Sequence, residues 1–182
     1  MLENRNRMSY RKLFWGFIFL FDFRIGGFDI LPDFIGFIFI YIGLRALSGR
    51  NIEFKRAGNL ALPLIFMSVF DLYQAPSSEA NLLGIIFGLA LTLLIILMVR
   101  GICMGIRNEA EKAGNEGLAS KASNRWGLFL AVNILLILFI VVPVLAAVLF
   151  IPFFILSIIS YVLMVSLMKS AEYSLLDGPS EV

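Results

Sequence analysis

One stretch of the sequence decides the class of fold. Between Trp126 and Met168 the chain runs for 43 residues without a charged side chain: WGLFLAVNILLILFIVVPVLAAVLFIPFFILSIISYVLMVSLM. A helix that crosses a bilayer needs about 20 apolar residues, so this stretch is too long for one crossing and has the length of two. Proline interrupts a regular helix, and Pro143 and Pro152 therefore place the predicted turn near Val148–Ile151.

The composition of the whole chain supports the same class. Of 182 residues, 60% are hydrophobic and 15% are charged, and the mean hydropathy is +0.91. Soluble domains have roughly 45–50% apolar and about 25% charged residues, and a protein of this size cannot bury such an excess in its own core. The sequence therefore predicts one all-α integral membrane domain over residues 1–182, with the lipid bilayer as its first partner.

Hydropathy predicts six membrane spans arranged as three successive helical hairpins. The spans are 10–25, 33–48, 57–75, 82–99, 126–147 and 151–168, with a cytoplasmic loop at 100–125 and a tail at 169–182. The first two spans are short, and Gly26 and Gly27 are expected to form the turn between them. An alternative for this first hairpin is a re-entrant loop that enters and leaves the membrane by the same face, shielded by protein or water.

The distribution of basic residues predicts the orientation. With both termini in the cytoplasm, 14 of the 15 lysines and arginines lie on the cytoplasmic side, and only Arg24 lies outside. Short cytoplasmic loops are enriched in Lys and Arg, so the N-in, C-in arrangement is favoured. We expect an uncleaved first span and a multi-pass protein of the cell membrane.

The sequence lacks the usual signatures of catalysis and of nucleic-acid binding. It has no histidine and a single cysteine, Cys103, and it contains neither a Gly-x-Ser-x-Gly elbow nor a phosphate-binding loop. The basic residues form several short groups rather than one basic face, so no nucleic-acid partner is expected. No cofactor is expected either, and a membrane-embedded enzyme is the least favoured class, with catalysis by aspartates alone left open.

The segment Phe21–Asp33 contains the candidate ligand or coupling site. It carries three acids and one base within a short distance, and a further acid follows in the third span: Asp22, Arg24, Asp29, Asp33 and Asp71. Ionisable groups near a bilayer are costly and suggest function. The acids could form a proton-coupling or divalent-cation site at the outer end, although the metal, if any, is unknown. The structural alternative makes Asp29 a helix cap and Asp33 a first-turn acid.

Asp71 is a separate candidate near the outer end of the third span. Ser68 and Gln74 lie three residues on either side of it, which places all three on one face of a helix. One hypothesis pairs Asp71 with Arg24, and the other treats Asp71 as a side chain that reaches the membrane interface.

The sequence around the second span also carries a resemblance. Residues 27–37, GFDILPDFIGF, resemble a signature of small multi-pass bacterial membrane proteins of unknown function, in which it follows an aromatic-rich first span. In those proteins the next helix ends in an Ile-Gly-Leu pattern, here Ile42-Gly43-Leu44. The resemblance covers about the first fifty residues. It implies a bacterial origin and a membrane location, and it implies no activity.

Three functional classes follow from these features. The first is a small transporter or a lipid- or ion-binding protein that uses the acidic outer loop. The second is a non-catalytic accessory subunit that packs against a larger membrane partner, and the third is the enzyme. Six spans could also form only half of a transport pathway, which would favour a homodimer. Gly84 and Gly88 have the GxxxG spacing of a helix contact, and Asn133 is expected to bond a neighbouring helix.

Overall fold

A computed structural model describes residues 2–20, 24–25, 28–29, 33–70 and 82–175. Over these residues the chain is helical apart from one small pair of strands, which confirms the all-α class. The elements are α1 Leu2–Phe19, β1 Arg24–Ile25, β2 Phe28–Asp29, α2 Asp33–Leu47, α3 Ile52–Phe70, α4 Leu82–Lys112, α5 Glu116–Val141 and α6 Pro143–Ser174.

Three of the described helices are long and apolar enough to cross a membrane. The segments are Gly84–Lys112 in α4, Glu116–Val141 in α5 and Ala147–Ser174 in α6. At about 1.5 Å per residue, the 31 residues of α4 extend about 46 Å, which exceeds the hydrocarbon thickness of about 30 Å. α1, α2 and α3 have only 18, 15 and 19 residues.

The six helices form a closed ring in chain order. Each packs against the next, and α6 returns to pack against α1. The short connections from α2 to α3, from α4 to α5 and from α5 to α6 turn the chain back on itself, so these neighbours run antiparallel. The glycine contacts show the same for α1 and α2, where Gly16 lies against Gly36 and Ser9 against Gly43, and for α3 and α4, where Ala57 lies against Gly101 and Phe54 against Gly105. Buried apolar side chains from all six helices form one core, which includes Leu13, Leu44, Leu64, Ile102, Leu118 and Leu167.

Glycines set the distance between α1 and α2. A Cβ atom added at Gly36 would lie 2.8 Å from the carbonyl oxygen of Gly16, and one added at Gly43 would lie 2.9 Å from that of Ser9. Real Cβ atoms do not approach backbone this closely, so the two helices are in direct backbone contact. Small residues permit such contact between helices in membranes.

The first predicted span ends too late in the sequence. α1 begins at Leu2 and ends at Phe19, whereas residues 24–25, assigned to the span, form β1 and pair antiparallel with β2. The amide of Leu20 bonds the carbonyls of both Gly16 and Phe17, at 3.2 Å each, which tightens the last turn. Gly26 and Gly27 lie outside the described residues, but their low helix propensity agrees with an early helix end.

The segment 100–125, which the sequence predicts as a cytoplasmic loop with the character of a short helical connector, is mostly helix. α4 continues to Lys112 and α5 begins at Glu116. Gly114 takes a left-handed conformation (φ +70°), and the Asn115 side chain accepts a hydrogen bond from the amide of Leu118 at 2.9 Å. These two residues end one helix and cap the next. Hydropathy marks where a helix leaves lipid, and it does not mark where the helix ends.

The predicted turn at Val148–Ile151 is also wrong. α6 is continuous through these residues, and the break between α5 and α6 is at Val142. Pro143 occupies the first turn of α6, where its missing amide hydrogen costs no hydrogen bond. Pro152 lies inside α6, as prolines can in membrane helices when neighbouring groups satisfy the freed carbonyl. The predicted span 33–48 corresponds to α2. The predicted span 57–75 corresponds to α3, which begins earlier, at Ile52, and residues 71–75 lie outside the described part of the chain.

Candidate functional site

The structure describes some of the predicted site residues and not others. Asp33 lies in the first turn of α2 and is half-buried. The strand register places the Cα of Arg24 directly opposite that of Asp29. Asp22 and Asp71 lie outside the described residues, so the proposed Asp71–Arg24 pair stays a prediction.

Asp33 lies at the wall of a cavity between five of the helices, which we call the inter-helix cavity. Its volume is about 540 Å³. α1, α2, α4, α5 and α6 all contribute to the wall, which is mainly apolar: Phe17, Leu20, Asp33, Phe37, Ile95, Val99, Phe129, Val132, Asn133, Leu136, Phe153, Phe154, Ser157, Ile158, Ser160, Tyr161 and Met164. Ligand sites in proteins commonly have this size and this mixture of apolar walls with a few polar groups.

The end of α1 forms part of the polar side of the cavity. The hydroxyl of Tyr161 donates a hydrogen bond to the carbonyl oxygen of Phe17, in the last turn of α1. The carbonyls at a helix end have no partner within the helix, so this bond satisfies one of them away from water. The carboxylate of Asp33 is close enough to interact electrostatically with the same tyrosine hydroxyl. Asp33 and Tyr161 therefore form one polar cluster.

Ser160, next to Tyr161 in the chain, adds a second hydroxyl to the polar side of the cavity. Its residue is 3% exposed, it lines the cavity, and its Oγ has no hydrogen-bond partner among the described residues. The two other short polar side chains of the wall bond their own helices. Asn133 donates to the carbonyl of Phe129 at 2.8 Å, and Ser157 donates to that of Phe154 at 2.8 Å. A buried hydroxyl without a partner carries a desolvation cost that a ligand could offset.

The expectation that Asn133 bonds a neighbouring helix is therefore wrong. Its amide nitrogen is used within α5, because the side chain of a helical Asn can reach the carbonyl four residues before it. The residue instead lines the inter-helix cavity, where its side-chain oxygen is a further polar group.

A second polar cluster lies where the α2–α3 connection meets the end of α4. Glu109 is 6% exposed and accepts hydrogen bonds from Arg50 and Lys112, each at 2.9 Å. Tyr10 of α1 lies beside this cluster, packed edge-on against the ring of Phe54. Each charge has an opposite charge next to it, so the cluster serves to hold α1, α3 and α4 together.

Metal-site chemistry receives no support from the part of the chain that the structure describes. No group of three or more His, Cys, Asp or Glu residues comes together there. Asp33 is one carboxylate, whereas a site for Ca²⁺ takes six to eight oxygen ligands. The lone cysteine, Cys103, is fully buried in α4.

Sequence reasoning missed Ser160 and Tyr161, although a signal for them exists. Ser157 precedes Ser160 by three residues and Tyr161 by four, and these spacings put all three on one face of a helix. A polar stripe in an otherwise apolar segment indicates a buried polar surface within a membrane bundle. The charged residues between Asp22 and Asp33 gave the stronger signal, because ionisable groups near a bilayer are costly.

No protein-family model, curated protein or solved structure matches the chain. The function is therefore inferred from the residues of the inter-helix cavity themselves.

Proposed function

We propose that this protein is a six-crossing protein of the cell membrane, with both termini inside, that binds a small, largely apolar molecule in the inter-helix cavity. In this proposal Asp33, Ser160 and Tyr161 provide the polar end of the site, and the phenylalanines provide the apolar wall. A binding site that lies between the helices of a membrane bundle suits a transporter or carrier. With both termini inside, the order of the spans puts Asp22, Arg24, Asp29 and Asp71 on the outer side, from which we propose that the ligand enters.

The apolar surface of the long helices supports a location in lipid. Near the α5–α6 turn, Val144 and Val148 are each 73% exposed and Ile151 is 70% exposed. Soluble proteins seldom expose such continuous apolar surface, whereas lipid tails solvate it at no cost. Residues of this kind continue along α4, α5 and α6.

The ring of antiparallel neighbours supports six crossings. Consecutive helices alternate in direction, so an even number returns the chain to the side on which it began. The contact of Arg50 with Glu109 brings the α2–α3 connection and the end of α4 to the same side. Both segments are rich in Lys and Arg, which favours the cytoplasm for that side.

Cysteine labelling tests this arrangement. The chain offers a simple background, because Cys103 is its one cysteine and can be replaced by alanine. An impermeant maleimide added to intact cells should label Gly27→Cys and leave Gly49→Cys unlabelled until the membrane is opened. Gly49 is a suitable control since nothing lies within 4 Å of an added Cβ there. Labelling of Gly49→Cys in intact cells would overturn the orientation.

The cavity is the observation that carries the binding function. Five helices line a partly open cavity of about 540 Å³ next to a buried serine hydroxyl that has no partner among the described residues. Small-molecule sites occupy about 300–1,000 Å³ and combine apolar walls with a few polar groups that orient the ligand.

Equilibrium binding to the purified full chain in detergent tests the function. Two radiolabelled probes of similar shape are used: methyltriphenylphosphonium, a cation, and triphenylphosphine oxide, which is neutral. We expect saturable one-to-one binding of at least one probe, and its loss in Ser160→Phe, which fills the cavity. Ser166→Phe is the matched control, since Ser166 lies on the exposed face of the same helix. If neither probe binds saturably, or if both Phe variants behave alike, the proposed function is wrong.

An accessory role is the second candidate, favoured by the surface of α4. Gly84 and Gly88, which have the GxxxG spacing, are both exposed on α4 within this chain. Such a stripe permits close contact with a helix of a second copy or of a larger membrane partner. Light scattering of Gly88→Leu against the unaltered protein tests it, and a lower mass for the variant would support this second role.

A further inference from the structure

We infer that Arg125, in the cytoplasmic part of α5, binds the headgroup phosphate of an anionic lipid of the cytoplasmic leaflet. This inference rests on the membrane location and the orientation in the proposed function, and it does not depend on a ligand in the inter-helix cavity. Three observations carry it: the bonding of Arg125, its position on α5, and the basic side chains around it.

The guanidinium of Arg125 makes no hydrogen bond or ion pair with any described residue. Its Nη1 atom is buried, whereas its other two nitrogens are not. An arginine side chain stays protonated in proteins, so its charge is present in these surroundings. A partly buried charge without a hydrogen bond is costly, and an anion at the accessible nitrogens would offset that cost.

The position of Arg125 is the boundary between the charged and the apolar part of α5. It is the last charged residue before the uncharged run that begins at Trp126. Leu118 and Ala122, seven and three residues before it, are buried, so the half-buried Arg125 lies on the side of α5 that packs on the bundle. Tryptophan is common where a membrane helix passes the lipid headgroups, which favours this depth for the guanidinium.

Further basic side chains lie at the same end of α5 and α6. Lys121 is exposed and precedes Arg125 by one turn, on the same face of α5. Phe139 of α5 contacts Phe153 of the antiparallel α6. Counting along both helices from this contact brings the exposed Lys169 to the level of the turn between Lys121 and Arg125. Neither lysine has an ion pair with a described residue. Such a cluster at the cytoplasmic ends of membrane helices attracts anionic lipids.

The described acids near this cluster do not neutralise it. Glu116 of α5 and Glu172 of α6 form no ion pair with any described residue. At the end of α4, by contrast, Arg107 pairs with Glu111 at 2.7 Å. A headgroup with a net negative charge is therefore favoured at Arg125 over a zwitterionic one. Arginine suits a phosphate in particular, because it can donate two parallel hydrogen bonds to two phosphate oxygens.

Quenching of tryptophan fluorescence by brominated lipid tests the inference on the full chain. The chain has two tryptophans, and Trp15→Phe leaves Trp126, next to Arg125, as the single one. This single-tryptophan protein is reconstituted into phosphatidylcholine vesicles that contain either phosphatidylglycerol, which is anionic, or phosphatidylcholine with brominated acyl chains. We expect phosphatidylglycerol to occupy the surface beside Trp126 at least about fivefold more readily than phosphatidylcholine.

The charge variants are made in the same background. Arg125→Gln should lower the preference for phosphatidylglycerol about fivefold, which corresponds to the roughly 1 kcal/mol expected of one basic side chain near anionic lipid. Arg107→Gln is the matched control, because it removes the same charge from an exposed side chain that has an acid partner, and it should leave the preference unchanged. Should Arg125→Gln not fold, Lys121→Gln at its exposed position replaces it and should also lower the preference.

The outcomes separate this inference from its alternatives. Equal quenching by both lipids, or equal effects of Arg125→Gln and Arg107→Gln, overturns it. If inorganic phosphate displaces phosphatidylglycerol more than sodium chloride does at the same ionic strength, the site accepts a soluble phosphate and the lipid is overturned as its ligand. Failure of the proposed function is distinguishable, because Arg125→Gln should leave binding of the two probes in the inter-helix cavity unchanged.

Discussion

The first three helices and the last three differ in length and in how they pack. α1, α2 and α3 have 18, 15 and 19 residues, and α4, α5 and α6 have 31, 26 and 32. We call these the short half and the long half. In the short half, glycines bring the backbones of α1 and α2 into contact. In the long half, Gly101 and Gly105 pack closely on α3, whereas Gly88 and Gly127 have nothing within 4 Å of an added Cβ.

The same ring of helices therefore contains two kinds of packing: close contact of backbones through glycine, and contact through larger side chains. Backbone contact in the short half fixes one arrangement of α1 and α2. The outer parts of the long half instead present apolar side chains to lipid and leave the inter-helix cavity beside the end of α1. The two halves meet at two polar contacts, Arg50 with Glu109 and Tyr161 with Phe17. Variants in each region and at each contact test this description.

The largest effect is expected from a methyl group added at the glycine contact of the short half. In Gly36→Ala the new Cβ would meet the carbonyl oxygen of Gly16 at 2.8 Å and Leu20 Cδ2 at 3.1 Å. Overpacking of this kind should lower the free energy of unfolding by about 1–3 kcal/mol. Denaturant titration in mixed micelles, followed by circular dichroism, measures the change.

Gly88→Ala is the matched control in the long half. The added methyl group meets open space there, and alanine has the higher helix propensity, so stability should stay equal or rise by up to about 1 kcal/mol. Equal losses in the two variants would show that the two halves do not pack differently.

The next largest effect is expected at the contact between the α2–α3 connection and α4. Glu109→Ala removes a 6% exposed carboxylate and leaves Arg50 and Lys112 without their partner. Arg50 keeps some access to water, so the free energy of unfolding should fall by about 1–2 kcal/mol rather than by the full cost of a buried charge. The same titration measures it.

Glu111→Ala provides the comparison, because Glu111 pairs with Arg107 at 2.7 Å and both side chains are about half exposed. Exposed pairs of this type contribute little, so the loss should stay below about 0.5 kcal/mol. A loss at Glu111 as large as that at Glu109 would mean that burial does not set the strength of these pairs.

A smaller effect is expected where α6 closes the ring on α1. Tyr161→Phe keeps the ring and removes the hydroxyl that bonds the Phe17 carbonyl. One hydrogen bond contributes about 1 kcal/mol, and the variant should lose about that much in unfolding free energy. Tyr173→Phe, at a 52% exposed position of the same helix, should change stability by less than about 0.5 kcal/mol. Equal values for both tyrosines would remove Tyr161 from the contact between the halves.

For the long half, the sequence predicted the presence of apolar helices but not the positions of their ends. The uncharged run from Trp126 to Met168 correctly indicated two apolar helices, because hydropathy averages over many residues. It could not locate the break at Val142, since both prolines are compatible with a helix: one in a first turn, and one inside a helix. The end of α4 could not be located, because hydropathy marks the end of the apolar stretch near Val99, whereas the helix continues through charged residues to Lys112.

The site could be predicted only in part, for a related physical reason. Asp33 was identified because a charge near a bilayer is conspicuous in any sequence. Ser160 and Tyr161 are ordinary residues in an apolar helix, and their importance depends on which helix lies opposite them. The ring closure of α6 on α1 brings them to the end of α1, and a contact between residues 144 positions apart leaves no local signal in the sequence.

The smallest expected effect concerns the strand pair between α1 and α2, where the structure and the sequence suggest different partners for Arg24. The register places Arg24 opposite Asp29, whereas one of the two hypotheses for Asp71 pairs Arg24 with that residue. Opposite charges facing each other across an antiparallel pair stabilise it by roughly 0.2–1 kcal/mol. A double-mutant cycle of Arg24→Gln with Asp29→Asn should therefore give a coupling energy in that range, reduced by added salt. The cycle of Arg24→Gln with Asp71→Asn measures the alternative pair, and a coupling near zero there beside a measurable coupling to Asp29 would support the contact across the strands. The opposite result would make Asp71 the partner, and it would link the hairpin of the short half to the end of α3 rather than to its own second strand.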